Sequence, residues 1–227
     1  MSDYNFAYLD EQTKRMIRRA ILKGLAIPGY QVPFASREMP MPYGWYCVAW
    51  SDELKVGESK PVHYFDQELV LFRTESGQAK LLEAYCPHLG AHLGQGIHEN
   101  TGKGGSVQGE SIVCPFHAWK FNGDGECTDV PYAKNMPPKV VGKQCLKSFP
   151  ITETNQAIFA WYHPEGVAPM WEVEVHDEAN SDDWCPVDRY EWIIKAHPQE
   201  LAENAADPAH FKYVHRTASF PEWETTY

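Results

Sequence analysis

Two short stretches carry the residue types from which a metal centre is made: Cys86-Pro87-His88 and Cys114-Pro115-Phe116-His117. Each tethers one thiol and one imidazole, and residues 89–113 separate them. Two Cys and two His are four ligands. They could close a tetrahedral zinc site, or hold a [2Fe–2S] cluster with two sulfurs on one iron and two nitrogens on the other. Their order distinguishes the two. A zinc finger puts both Cys on one short turn and both His on another. Here each loop supplies one of each, so two loops can close on a rhombic cluster from opposite sides. Each would give a sulfur to the inner iron and a nitrogen to the outer. Gly90 and Pro115 suit tight loops whose backbone N–H groups point at bridging sulfides.

A second constellation lies in residues 198–215. Glu203, Asp207 and His210 fall at i, i+4 and i+7, one face of a helix. Pro208 allows two arrangements. Inside a helix it would collide with the carbonyl of Asn204. Alternatively Asp207 caps and Pro208 opens a second short helix. His210 and His215 lie about 140° apart around an ideal helix. Both reach one metal only if the backbone bends or ends between them. Two imidazoles with positions left open suggest the two-His, one-carboxylate triad of non-haem Fe(II) sites.

Several elements must position these residues. Residues 9–25 carry an apolar stripe at Met16, Ile17, Ala20, Ile21 and Leu25, with Lys14, Arg15, Arg18, Arg19 and Lys23 elsewhere, and read as a basic amphipathic helix. Residues 27–43 hold four prolines and read as an extended arm. From Gly44 the pattern is β. Strands are expected at 45–50, 61–65, 69–73, 81–85, 147–151 and 157–162, with a turn at 122–125. Short strands between turns imply an antiparallel β-sandwich, with the two Cys/His loops at one tip and His88 and His117 nearest solvent. Residues 165–185 are acidic and irregular, a domain boundary, and 190–196 reads as a strand of something new. The expected domains are 1–42 (helix and arm), 43–165 (cluster domain) and 166–227 (linker and second, incomplete domain).

Composition narrows the class. The chain has 227 residues, 43% apolar and 22% charged, an ordinary globular balance. A net charge of −11 argues against nucleic acid as a partner. No run approaches a membrane span, and the first residues lack a secretory signal, so a cytoplasmic location is expected. Cys47, Cys127, Cys145 and Cys185 then read as free, mostly buried thiols. His92 reads as a surface histidine or a hydrogen bond to the first loop. His63, His98, His163, His176 and His197 have no partner at ligand spacing.

The pattern C-x-H-x-G…C-x-x-H-x-W, at Cys86, His88, Gly90, Cys114, His117 and Trp119, resembles the Rieske iron–sulfur family. Glu203-Asn204-x-x-Asp207-x-x-His210-x-x-x-x-His215 resembles the iron motif of Rieske non-haem iron oxygenase α subunits. The resemblance covers nearly the whole chain, from the arm to His215. It implies a mainly β Rieske domain followed by the start of an α+β helix-grip catalytic domain. It implies that Cys86 and Cys114 bind one cluster iron, His88 and His117 the other, and His210 and His215 a mononuclear iron. Asp207 would bridge His210 to a cluster histidine, His117, of a neighbouring subunit in a homotrimer. Trp119 would pack beneath the second loop. The implied chemistry is O2 activation with NAD(P)H electrons delivered by a separate reductase or ferredoxin, oxidising a hydrophobic small molecule. Ile27-Pro28-Gly29-Tyr30 and residues 114–120 look closest to the ketosteroid hydroxylase and cholesterol desaturase branch of these ring-hydroxylating enzymes, which implies a steroid-like or aromatic substrate. A Rieske electron carrier without a catalytic iron is the alternative, and a zinc-stabilised binding module a third.

Three departures bear on this. The gap between the loops is longer than usual, and the surplus at 97–106 reads as a polar surface loop. Neither loop has the extra Cys of respiratory Rieske proteins; with few polar donors at the sulfurs, the potential is expected near the low end, roughly −150 mV. The third iron ligand should be a carboxylate far downstream, yet only Glu222 and Glu224 follow His215. The chain is therefore expected to be the N-terminal part of a longer oxygenase, holding its cluster without turning over.

Overall fold

The computed structural model describes residues 40–96, 105–140, 142–185 and 187–220. The expected helix at 9–25, most of the arm at 27–43 and most of the loop at 97–106 lie outside these residues. Contacts divide the chain into Met1–Pro40 and Met41–Tyr227, and the second unit holds both candidate centres.

Among the described residues, eleven strands form three antiparallel sheets. β1 (Gly44–Trp50), β11 (Ala157–Tyr162) and β10 (Ile151–Thr154) make the first. β2 (Ser59–Tyr64), β3 (Gln67–Arg73), β4 (Ala79–Glu83) and β9 (Ser148–Phe149) make the second. β5 (Ser106–Gln108), β6 (Ser111–Val113), β7 (Lys120–Asn122) and β8 (Cys127–Asp129) make the third. Among the described residues, two α-helices follow the sheets, α1 (Pro198–Ala206) and α2 (Pro208–Tyr213).

The second sheet is the middle layer, because β3 is buried from Leu69 through Arg73. Side chains alternate across a strand. Leu69 and Leu71, with Leu81 of β4, face a core shared with Val48, Ile158 and Ala160 of the first sheet. Val70 and Phe72, with Leu82, face a core shared with Ile112 and Phe121 of the third sheet and with Cys86 and Cys114. An unbroken apolar run is what burial on both faces requires.

The β2–β3 hairpin turns at Phe65 and Asp66, with φ of 57° and 58°. A left-handed backbone is costly for a bulky residue. Phe65 is held by burial: its ring stacks on Tyr162 at 4.6 Å and on Phe149 at 5.8 Å. The turn at 122–125 forms as expected between β7 and β8. Asn122 Oδ1 accepts the N–H groups of Asp124 and Glu126 at 3.1 and 2.9 Å. A side chain at Gly125 (φ 79°) would collide with the Leu146 carbonyl.

Four expectations are corrected. Residues 147–151 are not one strand. Pro150, which has no N–H to donate to a ladder, divides them into β9 and β10, and the chain changes sheets there. The third sheet has no counterpart among the expected strands, since its strands of three residues are too short for a readable alternation. Residues 190–196 carry no strand; Ile193 is 91% exposed and pairs with no neighbour among the described residues. All six cysteines are free, but Cys47 and Cys185 are exposed rather than buried.

Arg73 ties the middle sheet to the first. All five of its N–H groups find acceptors. Nε donates to the Leu54 carbonyl and the two NH2 groups to the Gly77 and Ser51 carbonyls. Both also reach the Glu153 carboxylate of β10, each at 2.8 Å. The hydrogen bond from Arg73 holds the Glu153 carboxyl below the usual carboxylate range, against the opposing effect of burial. Glu153→Gln is expected to cost about 1–2 kcal/mol, a charge-assisted pair discounted for partial exposure. Because the folded-state pKa is depressed, that contribution is present above the usual carboxylate range and disappears as pH falls through the folded value. Urea denaturation of both proteins at neutral and acidic pH should show the difference closing on the acid side.

Candidate metal centres

The first centre is built by two loops with one backbone design. β4 runs out through Cys86, and β6 through Cys114. In the first loop the Cys86 N–H donates to the Ala91 carbonyl at 2.9 Å, and the Gly90 N–H to the Cys86 carbonyl at 2.9 Å. In the second the Cys114 N–H donates to the Trp119 carbonyl at 2.8 Å, and the Ala118 N–H to the Cys114 carbonyl at 3.0 Å. The residue four after each Cys is left-handed, with φ of 73° at Gly90 and 56° at Ala118. The loops differ in where the imidazole sits, two residues after Cys86 and three after Cys114.

This places the sulfurs inside and the rings toward the rim, as the sequence implied. Cys86 and Cys114 are each 2% exposed, while His88 and His117 are half-buried. The two sulfurs lie close enough to share one proton, and the backbone N–H groups of His88 and Leu89 favour charge on Cys86, those of Phe116 and His117 charge on Cys114. The bond to Cys86 lowers the Cys114 pKa well below the thiol range, with the Phe116 and His117 N–H groups and the His117 ring helping, while burial opposes. The Cys86 thiol is pushed up by the same bond and by burial. Apposed sulfurs titrate as a pair, and this one is arranged to carry negative charge.

The imidazoles supply the matching half. Their ring centroids lie 4.8 Å apart at 68°. Nδ1 of His88 and Nδ1 of His117 are both buried without a hydrogen-bond partner. An unpaired buried polar atom costs about 1–3 kcal/mol. Two such nitrogens on facing loops, beside a sulfur pair ringed by N–H donors, fit a [2Fe–2S] cluster with Cys on one iron and His on the other.

Trp119 does more than support the second loop. It crosses to the first, and its ring lies parallel to His88 at 4.6 Å and 6°. Its Nε1–H donates to the Tyr132 hydroxyl at 2.7 Å. No fixed offset links Tyr132 to either motif, so spacing alone cannot find it. His92 is not a surface residue. Its side chain is 8% exposed, Nδ1 accepts the Gly94 N–H at 3.0 Å, and Nε2 is buried without a partner, 3.9 Å from Glu68. His63 also has a partner, Glu68 at 2.8 Å.

The second centre forms where a helix stops. Asp207 caps α2, its carboxylate accepting the Ala209 N–H at 2.9 Å, and Pro208 opens it. The helix ends at Tyr213, the Val214 N–H closes on the His210 carbonyl, and Thr217 N–H returns to the Phe211 carbonyl. His215 is thereby brought back toward His210, with ring centroids 5.2 Å apart. His210 Nδ1 lies 2.6 Å from the Asp207 carbonyl oxygen. A carbonyl only accepts, so Nδ1 carries the proton and Nε2 presents its lone pair, the usual way a ligating imidazole is oriented. Glu203 instead accepts from Gln199 at 2.9 Å. Among the described residues no three His, Cys, Asp or Glu side chains are arranged to hold one ion, so no carboxylate completes the His210–His215 pair.

Residues 44–150 match the Rieske [2Fe-2S] domain, and residues 160–226 match the 3-ketosteroid 9alpha-hydroxylase C-terminal domain. With both matches in one chain, the protein carries a Rieske [2Fe–2S] domain followed by a ketosteroid-hydroxylase-type C-terminal domain, and is similar to the Rieske non-haem iron oxygenases. Relatives that it resembles include cholesterol desaturases and ketosteroid monooxygenase components. The chain is 37% identical over 205 residues to a cholesterol 7-desaturase of Xenopus laevis, covering 90% of this chain and 40% of that protein. It is 34% identical over 183 residues to the oxygenase component of a 3-ketosteroid-9-alpha-monooxygenase of Rhodococcus rhodochrous, covering 79% and 43%. It thus spans about two fifths of the length of these relatives. A crystal structure of dicamba monooxygenase bound to 3,6-dichlorosalicylic acid has the same fold, with a TM-score of 0.51, 24% identity, and coverage of 76% of this chain and 47% of that one. A further match, to phosphonate metabolism protein PhnJ over residues 2–51, touches no site residue, and its described end is β1.

The two left-handed positions give a paired test. Replacing Gly90 adds a side chain with nothing within 4 Å, so Gly90→Ala should cost only the backbone strain, about 1 kcal/mol. Ala118→Gly should relieve similar strain and raise the unfolding midpoint. Thermal unfolding of both variants checks the opposite signs.

Proposed function

We propose that this chain is part of the terminal oxygenase component of a Rieske oxygenase acting on a hydrophobic, steroid-like ring system. The observation that carries the proposal is the second centre. An electron carrier needs only the Rieske loops. Here a helix break also brings His210 and His215 side by side, with the His210 tautomer set by Asp207. The named activities of the relatives support the substrate class.

In this reading Cys86 and Cys114 hold the inner cluster iron, His88 and His117 the outer, and His210 and His215 the mononuclear iron. When bound, the cluster supplies single electrons, and the mononuclear iron the site where O2 is reduced beside substrate. The chain's own work is positional. The loop N–H groups stabilise negative charge on the sulfurs. Asp207 divides its functions: one carboxylate oxygen caps α2, its carbonyl orients His210, and Oδ2, 3.8 Å from His210 Nδ1, makes no hydrogen bond among the described residues. That second oxygen suits a bridge to a cluster histidine of another subunit. Exposed apolar side chains rim the cluster loops: Leu89 (63%), Phe116 (60%) and Tyr132 (60%). An apolar rim about the electron exit suits burial against a second copy, as a homotrimer requires.

The domain division at 42/43 and 165/166, a reductase or ferredoxin donor fed by NAD(P)H, and a cytoplasmic location belong to this proposal. No helix among the described residues is long and apolar enough to cross a membrane. The complete protein should supply the third ligand as an Asp or Glu.

Metal analysis of single variants of the full-length protein tests the assignment. His210→Ala and His215→Ala should lose mononuclear iron and all product formation while keeping the red-brown cluster spectrum. His117→Ala should lose the cluster. His88→Cys should alter the cluster's spectrum and potential; a colourless protein that binds zinc equally well in this variant would overturn the Rieske assignment. Full product formation after loss of His210 would leave only the electron-carrier function.

A further inference from the structure

Trp119 and Tyr132 form a connected unit that the ligand assignment leaves unexplained. The Trp119 ring is 8% exposed and parallel to the His88 ring, but Trp119 belongs to the other loop. Its N–H points outward to the hydroxyl of Tyr132, which is 60% exposed and reached across thirteen residues. Tyr132 also lies edge-on to His117, with ring centroids 6.4 Å apart. A buried indole N–H needs an acceptor, and the Tyr132 hydroxyl is the acceptor that this N–H has. Without it the indole would tilt or shift to expose its N–H, and the parallel contact with His88 would be lost.

We propose that Tyr132 and Trp119 are positioning residues for His88. Tyr132 fixes the plane of the Trp119 indole, and the indole fixes the plane of the His88 imidazole and adjusts the ease with which the group held by His88 is reduced. The electrostatics give a direction. The face of an aromatic ring is the negative side of its quadrupole and favours positive charge above it. Reduction removes one positive charge from the centre that His88 holds. A well-stacked indole therefore favours the oxidised state, and a loosened one eases reduction. No other side chain is assigned this effect: Phe116 is tilted by 44° to His117, and Trp119 is the ring that lies parallel to an assigned ligand.

This inference rests on His88 being a cluster ligand. The test uses full-length, cluster-loaded protein with Tyr132→Phe, Trp119→Phe and the double variant. Tyr132→Phe keeps the ring of an exposed residue and removes one hydroxyl, so folding is not at stake. Two quantities are read: the oxidised:reduced ratio at the ambient potential where the unaltered protein is half reduced, and the EPR signal of the reduced cluster. With iron and sulfide content unchanged, Tyr132→Phe should lower that ratio by about twofold or more, the scale of a lost aromatic contact. It should also shift the EPR g values. The double variant should match Trp119→Phe alone, because the hydroxyl has no function once the indole N–H is gone. An unchanged ratio and spectrum in Tyr132→Phe would overturn the proposal, as would additive effects in the double variant, or loss of the cluster when only the hydroxyl is removed. Failure of the underlying assignment looks different: the unaltered protein would then show no Rieske spectrum at all.

Discussion

Strand β3 is buried on both faces, and both cores are built against it. Leu69 and Leu71 close the core beneath the first sheet, while Val70 and Phe72 close the one that contains Cys86 and Cys114. A slip of one residue in its pairing would exchange these sets and put each side chain in the wrong core. The register with β2 and β4 therefore sets more than the sheet. β4 leads straight into Cys86, so the same pairing sets where the first loop leaves the sheet. Arg73 closes the strand, and its five-fold satisfied guanidinium joins the middle sheet to β10. Such a buried charge is tolerable only because every N–H is used.

The two Cys/His loops show how much local discomfort a candidate metal site can hold. Both need a left-handed residue four after the cysteine, yet only one has glycine there. Both leave a ring nitrogen buried and unpaired. Two sulfurs are pressed together where negative charge accumulates. The unpaired nitrogens and the crowded sulfurs are unfavourable in the protein alone, and both are relieved by one cationic group seated between the loops. The loop geometry thus suits a metal group bound by all four atoms.

The second site is made by ending regular structure rather than extending it. Pro208 has no N–H and cannot continue α1, so Asp207 caps a new helix, and α2 stops before His215. Had one helix run through, the two histidines would have pointed to different sides. The segment around them exposes much apolar surface, including Trp192, Ile193, Tyr213 and Val214.

The sequence alone determined the chemistry of the candidate ligands. Thiol and imidazole on paired short tethers, and two histidines beyond an Asp-Pro break, are covalent facts that survive any fold. It also determined the longer strands, whose alternation is a property of the chain itself. What it could not show is whatever depends on distant residues meeting. The three-residue strands of the third sheet are stabilised by their neighbours, not by their own pattern. Residues 147–151 look continuous until Pro150 is seen at the change of sheets. Residues 190–196 have β-forming side chains but no partner strand among the described residues, and a strand exists only as a pair. The apposition of Cys86 with Cys114, the reach of Trp119 from one loop to the ring of the other, and its tie to Tyr132 are contacts between segments far apart in the chain. Tertiary packing decided these because burial and hydrogen-bond satisfaction are evaluated over the whole molecule, while spacing and periodicity are read one segment at a time.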